Sequence, residues 1–93
     1  MTESHPWSFV TSHGLALVEL AREPDITIRS LATRLDLTER HTHRVISDLV
    51  DAGYVKRTRI GRRNRYEIDE SRQLHTQTLA QHEVGHLLQL LAA

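Results

Sequence analysis

The stretch LATRLDLTERHTHRVISDLVDAGYVKRTRIGRRNRYEI, residues 31–68, decides the fold. Its centre predicts a helix with two unlike faces. Val45, Ile46, Leu49 and Val50 recur at helical spacing, and at 100° per residue Thr42 joins them. Arg40, Arg44 and Ser47 fall nearly opposite, with His41 and His43 on the flanks. Thr38 supplies the hydroxyl of an N-cap, and Gly53 stands where a left-handed residue closes a helix. Upstream, Leu31, Ala32 and Leu35 predict a shorter helix packed by one face. Asp36-Leu37 makes a tight break between the two, since Asp adopts the left-handed conformation at moderate cost.

After Gly53 the period changes. Alternation around Thr58 and Ile60, then around Tyr66 and Ile68, predicts two strands. Gly61 and Asn64 are expected in the connecting turn, as residues that tolerate positive φ. Outward from this centre, residues 8–23 carry Val10, Leu15, Leu17, Val18, Leu20 and Ala21 at helical spacing, capped by Thr11 or Ser12 and ended by Pro24-Asp25. Thr27-Ile28-Arg29 reads either as a brief extended segment or as the start of the next helix. A final helix is predicted from about residue 70 to 93, capped by Asp69 or Ser71. The fold class is therefore mainly α with a small β-hairpin, in one domain spanning 1–93. Its core is residues 12–69, and residues 70–93 form a C-terminal helix.

Charge is distributed unevenly. The formal net charge is zero, yet six of the twelve Lys and Arg residues fall between positions 56 and 65: Lys56, Arg57, Arg59, Arg62, Arg63 and Arg65. No acid interrupts them, and the rest of the chain carries six basic residues against twelve acidic ones. One strip is strongly positive on an acidic body, a pattern that points to a polyanionic partner. The 26% charged and 39% hydrophobic composition is that of a soluble globular domain. With no cysteine, disulfides and thiolate metal sites are excluded. The apolar runs are far shorter than the ~20 residues of a membrane span. MTESHPWSFV lacks the basic start and apolar core of a signal peptide, so a cytoplasmic protein is expected.

The order helix, short helix, tight turn, helix, basic hairpin resembles the winged helix-turn-helix of MarR/ArsR-like bacterial regulators. Leu31-Ala32, Leu35, Val45, Leu49 and the ending Asp51-Ala52-Gly53-Tyr54-Val55 carry the likeness. More narrowly, it resembles a group of small single-domain actinobacterial regulators with a similar GRRN wing tip and a His-containing last helix. The resemblance implies a sequence-specific double-stranded DNA-binding regulator. In it, residues 38–52 enter the major groove and the wing at 55–68 lies on phosphates or the minor groove. Arg40, His43, Arg44 and Ser47 would then read bases, since the Arg fork matches guanine O6 and N7. Thr38 would bind phosphate at the helix start. Arg59, Arg62, Arg63 and Arg65 would contact the backbone or a narrow minor groove.

The C-terminal segment QHEVGHLLQLL, residues 81–91, contains His82-Glu83-Val84-Gly85-His86, a match to the H-E-x-x-H of zinc peptidases. Catalytic zinc needs three protein ligands, and only LLQLLAA follows His86. No enzyme is expected, and no cofactor. A metal-responsive ArsR-like repressor is the alternative, because a helix over 70–93 would align His75, His82 and His86 in one stripe. The carboxylate positions of that family's site are Gln73 and Gln89 here. A winged helix used only for protein interaction is the other alternative, disfavoured by the six-cation strip. On the face opposite the histidines, Ala80, Val84, Leu87, Leu88 and Leu91 form an apolar seam, with Gly85 at its edge, expected both to pack onto the first helix and to support a homodimer. A dimer predicts a pseudo-palindromic operator. His5, His13, His41 and His43 read most simply as surface or half-buried polar residues.

Overall fold

The computed structural model describes residues 9–92. His5, the N-terminal stretch 1–8 and position 93 lie outside them. The described elements run α1 (Ser12–Arg22), α2 (Ile28–Leu35), α3 (Glu39–Asp51), β1 (Val55–Ile60), β2 (Arg63–Ile68), a 3-10 turn (Gln77–Leu79) and α4 (Val84–Leu91). This is a winged helix-turn-helix.

Threonine hydroxyls start the first three helices. Thr11, Thr27 and Thr38 accept from the N–H groups of Gly14, Ser30 and His41 at 3.4, 3.1 and 3.0 Å. Each satisfies a donor that has no intrahelical partner. Thr27 thereby resolves the ambiguity of the 27–29 segment in favour of a helix. Buried Ala16, Leu17, Val18 and Leu20 of α1 meet Leu31 and Ala32 of α2 and Val45, Ile46 and Leu49 of α3 in one core. Thr42 is fully buried among them, and its hydroxyl donates to the Thr38 carbonyl at 2.9 Å. A polar group on the apolar face therefore carries no unmet hydrogen bond.

The turn between α2 and α3 rests on Asp36, at φ 56° and ψ 45°. Leu37 N–H returns to the Ala32 carbonyl at 2.9 Å, which closes α2 as a left-handed cap. Asp36→Gly removes the steric cost of that conformation, and should stabilise the fold by a few tenths to about 1 kcal/mol. A higher urea midpoint at unchanged slope would register the gain. A lowered midpoint would mean that the aspartate side chain contributes more than its backbone costs. At the end of α3, Gly53 (φ 85°) donates to Val50 O and Tyr54 to Leu49 O, both at 3.0 Å. That pair of hydrogen bonds aims the chain into β1.

β1 and β2 pair antiparallel from Val55↔Ile68 to Ile60↔Arg63. The connection is the two residues Gly61-Arg62, with positive φ at Gly61 only (62°). This is the pattern of a type II′ turn, whose twist suits a hairpin. Asn64, expected in the turn, instead lies in β2 opposite Arg59. The Tyr66 N–H donates to the Pro24 carbonyl at 3.0 Å, so the α1–α2 connection runs along the free edge of β2.

The expected helix over 70–93 is the largest correction. Only Val84–Leu91 is α-helical, and neither Asp69 nor Ser71 caps it. Asp69 Oδ1 accepts instead from Ser71 N–H (3.2 Å) and Ser71 Oγ (2.7 Å) in a local turn. Residues 72–74 and 82–84 then run back alongside each other, with Gln73↔Glu83 bridged and Leu74 N–H on His82 O at 3.0 Å. The reason is burial: between 70 and 83 Leu74 is the only half-buried apolar side chain, and Leu79 is exposed. A continuous helix there would have had almost no face to bury. The first donors of α4 find carbonyls of this returning segment, Val84 on Arg72 O and Gly85 on Glu70 O, each at 2.8 Å. Gly85 permits the approach, since a Cβ on it would lie 2.9 Å from the Glu70 carbonyl oxygen. Val84 and Leu88 are buried in the core, and Arg22 Nη2 donates to the Leu91 carbonyl at 2.9 Å.

Candidate nucleic-acid interface

The inner face of α3 fixes the direction of its outer face. With Val45, Ile46 and Leu49 in the core, Arg40, His43 and Arg44 project outward and are exposed, while Ser47 is half-buried. Arg40, His43 and Arg44 make no ion pair among the described residues. The positive charge of Arg40 and Arg44 lies in the N-terminal half of the helix, where unsatisfied backbone N–H groups add to it. Thr38, at the helix start, is exposed but already engaged by the cap.

A groove of about 610 Å³ runs between the start of α1 and α3, lined by His13, Thr38, Arg40, His41, Arg44, Val45 and Asp48. His13 Nε2 lies 2.8 Å from Asp48 Oδ2 and ties the two helices there. The pair engages the Asp48 carboxylate with α1. On the far side of the domain, Arg34 donates to Glu23 (2.8 Å) and Glu19 (3.1 Å). Hydrogen bonding to Glu23 first, then Glu19, raises its pKa above the ordinary guanidinium value. That cation is committed to holding α2 against α1.

The six wing cations are all exposed, and the structure separates them into unlike sets. The side chains of Lys56, Arg57 and Arg62 make no hydrogen bond or ion pair among the described residues, with Arg62 at the turn. Arg59 Nε donates to Gly61 O at 3.1 Å, and Arg63 Nη2 to Asp25 O at 3.3 Å. Both are held by neutral carbonyls and keep their charge uncompensated. Arg65 differs, with Nη1 at 3.2 Å from both carboxylate oxygens of Asp25. Four equivalent wing arginines were expected, and one is paired to an acid. A depression lined by Thr27, Ile28, Arg62, Arg63 and Asn64 also brings the start of α2 beside the wing tip. Thr27 was legible only as part of a brief extended segment or a helix start, so sequence reasoning did not place it there.

The histidine stripe does not form. His75 and His82 precede α4, so no single helix carries the three. The His75 ring packs on Tyr54 at 4.8 Å between centroids, whereas His82 stands edge-on to His86 at 6.2 Å. Among the described residues no group of three His, Asp or Glu is placed to hold a metal ion. The apolar seam is likewise divided. Val84 and Leu88 face the chain's own core, Ala80 lies outside α4, Leu87 and Leu91 are half-buried, and Leu90 is 82% exposed. Among the described residues no helix is long and apolar enough to cross a membrane.

Comparison with curated proteins finds no match. Residues 15–56 match the family model described as winged helix-turn-helix DNA-binding. The matched segment runs from α1 through α3 into the first two residues of β1. With the hairpin that completes it, the chain is a winged helix-turn-helix similar to that DNA-binding family, and the similarity supports a DNA-binding regulator.

Proposed function

We propose that this protein is a sequence-specific, double-stranded DNA-binding transcriptional regulator acting in the cytoplasm as a homodimer. The observation that carries the proposal is the outer face of α3. Arg40 and Arg44 stand there exposed and, among the described residues, without a carboxylate partner, while the opposite face is locked in the core. In a major groove these two, with His43 and Ser47, read base edges, and Thr38 lies at the phosphate. The wing cations Lys56, Arg57, Arg59, Arg62 and Arg63 contact phosphates beside it, with Arg62 at the tip. Leu87, Leu90 and Leu91 are the apolar side chains left for a second subunit, which would set two half-sites about 34 Å apart.

Binding to duplex DNA tests the reading directly. Five engaged wing cations give a slope of log K against log salt of about −4.5. A protein-interaction module would bind generic duplex with almost no salt dependence. Arg62→Ala should weaken operator and random DNA equally, by roughly five-fold at 0.1 M salt, and flatten the slope by about 0.9. A change confined to the operator would move Arg62 from the backbone to the bases.

A further inference from the structure

Asp25 is an acid set against the most basic strip of the chain. Its carboxylate holds Arg65 Nη1 at 3.2 Å to each oxygen, across forty residues of sequence. The α1–α2 connection does not need this bond to stay in place. Tyr66 N–H donates to Pro24 O at 3.0 Å, Arg63 Nη2 donates to Asp25 O at 3.3 Å, and Ile26 is buried in the core. Both side chains of the pair are about half exposed, at 48% for Arg65 and 57% for Asp25. An ion pair so solvated contributes little to folding stability. Its effect falls on charge: among the described wing cations, Arg65 alone has a carboxylate within ion-pair distance.

We propose that Asp25 is an internal competitor for phosphate. It withholds Arg65 from the DNA backbone and so lowers the sequence-independent affinity of the wing. The proposal rests on the DNA-binding reading and deepens it. Phosphate contacts supply affinity for any duplex. A regulator must find one site among a large excess of generic ones, so an acid that mutes one such contact suppresses competition from random DNA. The carboxylate resembles a phosphate in charge and acceptor geometry, and it occupies Nη1 of the guanidinium from within the same chain.

The test is binding of the full chain to a random-sequence duplex between about 0.05 and 0.3 M salt. Asp25→Asn keeps the size of the side chain and the backbone carbonyl that holds Arg63. It should tighten binding about five-fold at 0.1 M and steepen the salt slope by about 1. Arg65→Ala alone should change wild-type affinity less than about two-fold, and the double variant should lose the gain. Unchanged or weaker binding by Asp25→Asn would overturn the proposal and make the pair a positioning contact. So would a double variant that keeps the gain, since Asp25 would then act only through its own charge. Wild-type protein that shows no salt-dependent binding would instead refute the DNA-binding reading itself.

Discussion

Replacing Arg44 with alanine should reduce discrimination between operator and random duplex about 10–100-fold, because one bidentate base contact carries roughly 1–3 kcal/mol of specificity. Arg44 is exposed, free of any described ion pair, and opposite the buried Ile46–Leu49 face of α3. Alanine is at least as good a helix former, so the thermal midpoint should stay within about 2 °C of wild type. Arg44→Lys separates charge from shape. The ammonium keeps a phosphate attraction and most of the salt slope, but lacks the planar fork that matches guanine. It should lose discrimination while retaining generic affinity. Competition binding against an operator selected from genomic fragments supplies the ratio. Were that ratio to survive Arg44→Ala, α3 would not be the reading helix.

What the sequence made legible here was local and periodic. Val45, Ile46 and Leu49 defined the inner face of α3, and both caps, Thr38 and Gly53, lie where their chemistry requires. Even Thr42 on the apolar face was correctly placed, and only the structure shows why it is tolerated there: its hydroxyl reaches Thr38 O. The failures are tertiary. Histidines at 75, 82 and 86 fit one helical stripe, but spacing cannot say whether a helix has anything to bury. Across 70–83 it has not, and Glu70 and Arg72 carbonyls take the first donors of α4 instead. Of the two uses expected for the apolar seam, packing onto α1 and pairing with a second subunit, Val84 and Leu88 take the first within the chain. HEVGH is thus a place where Gly85 meets Glu70 closely, and two of its residues happen to be histidine. The Asp25–Arg65 pair left no sequence signal either, because nothing local links positions 40 apart. Charge counting gave six equivalent cations, where the fold distinguishes one from the rest.

Ile46→Ala should produce the largest stability loss of any single change considered. Ile46 is fully buried, two residues after Arg44 and on the other side of the same helix. Truncating a buried isoleucine to alanine costs about 2–5 kcal/mol from lost transfer energy and the cavity left behind. Native domains have only about 5–15 kcal/mol in total, and one this small lies toward the lower end. The thermal midpoint should fall by roughly 10–25 °C, at about 5 °C per kcal/mol for a chain of this size. DNA binding at elevated temperature should vanish along with the circular dichroism signal. At a temperature where the variant is still folded, its operator-to-random ratio should match wild type. Arg44→Ala should show the reverse pattern, with stability kept and the ratio lost. If Ile46→Ala melted within about 3 °C of wild type, α3 would not be docked through this face, and the outward direction of Arg44 would lose its support.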